Sequence, residues 1–234
     1  MTRDSVPGRP WILAFDTGTS RVVVAAGTPA GDVIAEQSFP AEHRHGELLL
    51  AAIDQLAAGA GLALDGLRGV VAGTGPGAFT GLRVGLATAK TLAHELGIPI
   101  AGVSTATALA AAAGGGVDVW LPAGPQDRVE VRPGAAPRLV AARATEPTAS
   151  GPVATAERDM IAVDLEGRAD DGALARGRAA LDGLAAALLR LGSARLTDGG
   201  DDPETLVPEY VTLPRGVTGG LDLEGGVTWS LDHR

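Results

Sequence analysis

The segment "GTGPGAFTGLRVGLATAKTLAHELG", residues 73–97, places glycine at 73, 75, 77, 81 and 85, where a strand-like run gives way to a helical one. Two kinds of structure need glycine in that setting. One is a loop whose backbone N–H groups cradle a phosphate; the other is a helix that must lie very close to a neighbour. The phosphate-loop patterns fit poorly. No Lys-Ser or Lys-Thr follows a glycine at P-loop spacing, the dinucleotide fingerprint would have Ala78 at its last glycine position, and Pro76 removes a backbone donor. Read as a helix from Gly77 onward, Gly77, Gly81, Gly85 and Ala89 lie four apart. Each then advances about 40°, and together they clear a strip about 120° wide. An interior glycine costs a helix up to about 1 kcal/mol relative to alanine, so the strip implies close packing, against the chain's own sheet or against a partner helix. Phe79, Leu82 and Arg83 stand beside it, and an aromatic and an arginine are the residue types that anchor interfaces.

The segments around this run set the fold class. "WILAFDTG" reads as a buried strand ending in a turn, and "RVVVAAGTPAGDVIAEQSFP" as two strands joined around "TPAGD". "HGELLLAAIDQLAAGAGLALDGL" carries Leu48, Leu49, Ala52, Ile53 and Leu56 at helical spacing. "RGVVAG" is a short strand, the glycine-rich run opens a second helix, and "IPIAGVS" is another strand. "TATALAAAAGGG" is a helix that stops at its glycines, and "VDVWLPAG" is a further strand. The order βββαβαβ, an antiparallel meander followed by parallel crossovers, predicts an α/β fold of the ribonuclease-H-like class. Beyond Gly124 the pattern weakens. "QDRVEVRPGAAPRLVAAR" reads as a hairpin turning at "RPGAAP", "ASGPVATAERDMIAVDLEGRADD" as loop-rich, "GALARGRAALDGLAAALLRLG" as one helix, and the stretch from Asp201 as partly disordered. The expected organisation is a first subdomain over residues 1–113, a smaller and degenerate second one over 114–215, and a glycine-rich tail over 216–234.

A second motif, "DTGTS", lies at the end of the first strand. An aspartate there, followed by Thr17, Gly18 and Thr19, can set N–H groups around a phosphate while Asp16 holds a hydrated magnesium ion. The same four residues also make an ordinary β-turn. The histidines give less. His43 and His45 are two apart and cannot share a metal on a helix, while His43 and Glu47 are four apart and could. No G-x-S-x-G occurs to support serine hydrolysis.

Composition narrows the partners. The net charge is −9, with Lys90 as the only lysine among 19 basic residues. A chain that gripped RNA by its phosphates would carry a basic face, so any RNA is expected to be held mainly by another subunit. With 3 % aromatic residues the core must be built of Ala, Val and Leu. No apolar run reaches eighteen residues, so no membrane span is expected. The start lacks the apolar segment of a signal peptide, and with no cysteine there is no disulfide; the expected location is cytoplasmic.

"ILAFDTGTSRVVVA", "EHRHGELLLAAIDQLA" and "GTGPGAFTGLRVGLATAKTLAHELGIPIAGVSTATALA" together resemble the bacterial TsaB (YeaZ) family of the ASKHA superfamily, the actin-like ATPases, sugar kinases and their relatives. The resemblance runs from Ile12 to about Ala110, is strongest at "GPGAFTGLRVG", and touches "PEYV" near Tyr210. It implies a non-catalytic subunit in forming the N6-threonylcarbamoyl group on adenosine 37 of tRNAs that read ANN codons. The catalytic paralogue, TsaD, would be the direct partner, met through the helix of the glycine run. That assigns Gly77, Phe79, Gly81, Leu82, Arg83, Gly85 and Ala89 to an interface. Homodimers through the same helix, an ATPase partner TsaE joining the pair, and tRNA contacted through the complex are also implied. The chain itself would need no cofactor, with ATP or ADP at most weakly held or shared at the partner interface, and Asp16, Thr17, Gly18 and Thr19 would be a vestigial phosphate site. The paralogue's metal site uses two histidines four apart, and here Glu47 stands in the second position. The second half offers only "TDGGDDPET" as an echo of the motifs that complete a nucleotide cleft. The alternative is a working ASKHA enzyme, an ATP-dependent kinase or carbamoyl transferase built on Asp16 and Thr17.

Overall fold

A computed structural model describes residues 8–41, 45–124, 126–141 and 159–211. The expected tail over 216–234, His43 and the side chain of Glu47 lie outside what it describes. Strand β1 (Trp11–Asp16) is buried along its whole length and forms the middle of a five-stranded sheet. β2 (Arg21–Gly27) and β3 (Val33–Pro40) complete an antiparallel meander on one side of it. β4 (Leu67–Gly75) and β5 (Ile100–Ser104) lie parallel on the other, in the order β3-β2-β1-β4-β5. Register is set by alternation: side chains of successive strand residues point to opposite faces. Trp11, Leu13 and Phe15 face helix α1 (His45–Gly59) and helix α2 (Phe79–Leu96), where Leu49, Leu56, Leu86 and Ala89 close over them. Ile12 and Ala14 face the opposite layer.

That opposite layer is shared with the second half. Helix α3 (Thr105–Ala112) leads into a four-stranded sheet of β6 (Asp118–Ala123), β7 (Asp127–Val131), β8 (Arg138–Val140) and β9 (Met160–Ala162), ordered β8-β7-β6-β9. The β7–β8 pair is the hairpin expected at "RPGAAP". Helix α4 (Asp171–Asp182) covers this sheet, started by Asp170, whose side chain accepts the Ala173 N–H. Helix α5 (Leu184–Thr197) returns to the first sheet. It seats there because Gly192 has no side chain: a Cβ at that position would stand 2.3 Å from Val71. Leu184, Leu188 and Leu189 then join Ile12, Val71, Leu109, Leu121 and Ile161 in one core between the sheets.

One expectation is corrected here. The single helix read over "GALARGRAALDGLAAALLRLG" is two, ending and restarting at Gly183, which serves as C-cap of α4 and N-cap of α5. A Cβ on Gly183 would come within 3.2 Å of Ala112, so the break lies where α3 crosses. The stretch from Asp201, read as partly disordered, is an ordered strap as far as residue 211. Its Asp201 N–H donates to the Ile100 carbonyl at 2.7 Å and its Glu209 N–H to the Thr74 carbonyl at 2.8 Å.

Candidate functional site

The carboxyl ends of β1, β4 and β5 converge with the N-terminal end of α2, the place where open α/β sheets hold ligands. In this chain the place is filled from within. Asp16 is completely buried. Its Oδ1 accepts the Gly18 N–H at 2.8 Å, and its Oδ2 accepts the Thr105 hydroxyl at 2.6 Å. Burial pushes the Asp16 carboxyl above the usual range, against the pull of Thr105 and the N–H groups of Gly18 and Thr19. Position 73 must be glycine for Asp16 to lie there, because a Cβ would stand within 1.9 Å of its Oδ2.

The rest of the turn is closed by α2. The Thr17 hydroxyl donates to the Gly81 carbonyl at 2.8 Å, and a Cβ on Gly85 would lie 2.3 Å from that hydroxyl. The Ala78 N–H donates to the Gly18 carbonyl at 2.7 Å. A Cβ on Gly77 would stand 2.1 Å from the same carbonyl oxygen. The Thr19 hydroxyl, buried too, donates to the Arg21 carbonyl at 3.1 Å. Asp16, Thr17, Gly18 and Thr19, expected as a vestigial phosphate site, are buried, with both carboxylate oxygens of Asp16, the hydroxyls of Thr17 and Thr19 and the carbonyl of Gly18 hydrogen-bonded within the chain.

The same geometry shows what the glycine strip packs against within the chain. Helix α2 begins at Phe79, so Gly77 precedes it. Gly81, Leu82, Gly85 and Ala89 are buried on the face that meets the β1–β2 turn and the first core. The missing side chains bring α2 down onto its own sheet. What α2 shows outward is its other face: Thr80, Arg83, Ala87 and Thr91 are exposed, with Val84 and Thr88 half-buried between them. Those six residues recur at three- and four-residue spacing and carry one charge, that of Arg83, with exposed His94 and Glu95 continuing the same spacing at the C-terminal end of the helix.

Arg83 of this face and Phe79 at its edge are joined by Tyr210 from the strap. The Arg83 guanidinium stacks 3.8 Å from the Phe79 ring centre, its Nε donates to the Tyr210 hydroxyl at 2.9 Å, and the two rings are 5.1 Å apart. One residue back, Glu209 accepts the hydroxyls of Thr74 at 2.6 Å and Ser104 at 3.1 Å. A crevice of about 430 Å³ remains beside the strap, lined by Thr107, Arg195, Leu206 and Glu209 among others. Burial alone would raise the carboxyl of Asp201, but the Arg195 guanidinium and the Gly102 N–H hold it below the usual range. Thr105, Glu209 and Asp164, discussed below, were not singled out as site residues from the sequence. Ser104–Thr105 at a strand end before a helix, the signature of an N-cap, was the available signal for the first.

Among the described residues no group of three or more His, Asp or Glu comes together as a metal site. No helix among them is long and apolar enough to cross a membrane.

Comparison with known proteins agrees with this architecture. The sequence profile of a family described as TsaD, tRNA N6-adenosine threonylcarbamoyltransferase, matches residues 32–120. An uncharacterized protein of Mycobacterium leprae is 43 % identical over 103 residues, covering 42 % of this chain and 28 % of that protein. The tRNA threonylcarbamoyladenosine biosynthesis protein TsaB of Bacillus subtilis is 37 % identical over 100 residues, covering 43 % of each. The chain thus spans less than half the length of these curated relatives. The solved structure of YeaZ from Pseudomonas aeruginosa superposes with a TM-score of 0.63 at 24 % identity, covering 86 % of this chain and all of that one. That likeness extends the shared α/β fold across both sheets.

Proposed function

We propose that the chain is a member of the TsaB (YeaZ) family and an accessory subunit in making threonylcarbamoyladenosine on tRNA, without transferase chemistry of its own. The observation that carries the reading is the closed β1–β2 turn. Catalysis in an actin-like fold would require a carboxylate open to magnesium and free N–H groups for phosphate. Asp16 instead spends both oxygens on Thr105 and Gly18, and Thr17 and Gly18 are bound to α2.

The pairing surface is the outward face of α2, from Thr80 through Arg83, Val84, Ala87 and Thr88 to Thr91, with Phe79 and Tyr210 at its edge. Small residues there let a second helix approach closely and bury a continuous contact, while the aromatic and arginine cluster supplies an anchor. The direct partner is TsaD, a relative by the profile match; a second copy of this chain would use the same face. TsaE joins through the pair, any ATP or ADP lies at the partner interface, and tRNA is held mainly by the complex, in keeping with the net charge of −9. The seating of the strap and of α5 supports two subdomains with the boundary near residue 113 and the last helix packed back on the first.

The test is co-purification with TsaD from the same cell, comparing wild type with Ala87→Arg. Magnesium-dependent ATP hydrolysis by the lone chain, lost in Asp16→Ala, would overturn the reading in favour of an ATP-dependent kinase or carbamoyl transferase.

A further inference from the structure

The turn after β1 makes a contact that the pairing role leaves unused. Ser20 is exposed, unlike the four residues before it. Its N–H donates to Asp164 Oδ2 at 2.6 Å and its hydroxyl to Asp164 Oδ1 at 2.5 Å. One carboxylate thus sets its two oxygens on two donors of a single turn residue, as an oxyanion does when it is held by backbone and hydroxyl groups at a strand end. The contact spans the chain: Asp164 follows β9 in the second sheet, 144 residues away from Ser20.

Asp164 holds an unusual backbone to get there. Its φ is 55°, and among the described residues it is the only non-glycine residue with positive φ. That region is sparsely occupied, and Asp enters it more readily than most. The turn that follows holds it in place: Arg168 donates to its carbonyl at 3.1 Å. At the next residue, the first of β2, Arg21 pairs with Asp182 at 2.9 Å. Two carboxylates from the second half therefore meet two consecutive residues of the first.

We propose that Asp164 is a built-in anion: its carboxylate occupies an oxyanion seat formed by the N–H and hydroxyl of Ser20, clasping the two sheets together without any bound ligand. The first and second halves of the chain are joined at this point by a side chain rather than by a ligand. The seat itself is intact beneath Asp164, so removing the carboxylate leaves a site for inorganic phosphate. This deepens the reading of a closed turn but does not depend on pairing with TsaD.

The test uses the full chain carrying Asp164→Gly, since glycine adopts a φ of this sign freely. Titration with inorganic phosphate at constant ionic strength is expected to show saturable binding at least about tenfold tighter than to wild type, weakened again when Ser20→Ala is added. A folded variant that binds no phosphate, or binds it no better than wild type, overturns the proposal. Should Asp164→Gly fail to fold, Asp164→Asn keeps the shape and removes the charge. Its Ser20 amide is then expected to exchange with solvent faster than in wild type, and unchanged exchange also overturns it. Retained co-purification with TsaD alongside absent phosphate binding would sink this proposal alone.

Discussion

The hydroxyl of Thr105, the first residue of α3, donates to Asp16 Oδ2, the last residue of β1, at 2.6 Å, and both residues are completely buried. The pair joins the central strand to the helix that leads into the second sheet. It also accounts for the closed turn, since the carboxylate is turned inward rather than toward a ligand.

Thr105→Val is expected to cost about 1–3 kcal/mol, the penalty for a buried acceptor left unpaired. It also changes the pH dependence. The Asp16 carboxyl titrates above its ordinary 3.8 in the folded chain, so the folded state binds its proton more readily than the unfolded one. Stability from this group is therefore greatest below about 3.8 and falls as pH rises toward the folded value. Removing Thr105, which works to lower that value, deepens the fall. Urea unfolding of wild type and Thr105→Val between about pH 4 and about pH 8 reads the difference.

Gly85→Leu is expected to destabilise the subunit by about 1–3 kcal/mol or more, as overpacking of a filled interior does, because its side chain would enter the space of the Thr17 hydroxyl. Ala87→Arg, two residues on and exposed, is expected to change stability by no more than about 0.5 kcal/mol. Thermal unfolding of the two variants separates the inner face of α2 from the outer one. Equal losses would contradict the assignment of faces.

Glu130 gives stability an acid limit. It lies in the second sheet, buried, with Arg138 at 2.7 Å and Arg128 at 3.1 Å. Burial raises its carboxyl, but the hydrogen bonds and charges of Arg138 and Arg128 outweigh that and hold it below the ordinary 4.5. The contribution is therefore present above about 4.5 and lost as pH falls through the lower folded value. Glu130→Gln is expected to cost about 1.5–3 kcal/mol at neutral pH, as for hydrogen bonds to charged groups, and to flatten the loss in acid.

The strap supplies a fourth check. Glu209→Ala removes the acceptor of the Thr74 hydroxyl and one of the two acceptors of the Ser104 hydroxyl, the other being the Gly75 carbonyl at 3.1 Å. Hydrogen exchange over residues 201–211 is expected to rise while the core of the first sheet stays protected.

How far the sequence could be read follows from these particulars. β1, β2, α1 and α2 were legible because alternation and helical spacing are local, and the β7–β8 hairpin because its turn residues are. Spacing also located the small-residue strip of α2, but it could not say what filled it. Gly85 answers to Thr17 and Gly77 to Gly18, contacts 60 or so residues apart that no local pattern encodes. The break at Gly183 was hidden for the same reason, since α4 and α5 share one helical periodicity and only the crossing of α3 divides them. Asp164 gave no signal at all, because its role exists only once two sheets meet.

The most direct measurement is co-purification with TsaD, wild type beside Ala87→Arg, with thermal unfolding of both. The account predicts a one-to-one complex for wild type, absent in a variant whose Tm is unchanged. No complex for wild type, together with ATP hydrolysis by the lone chain that depends on Asp16, would contradict it.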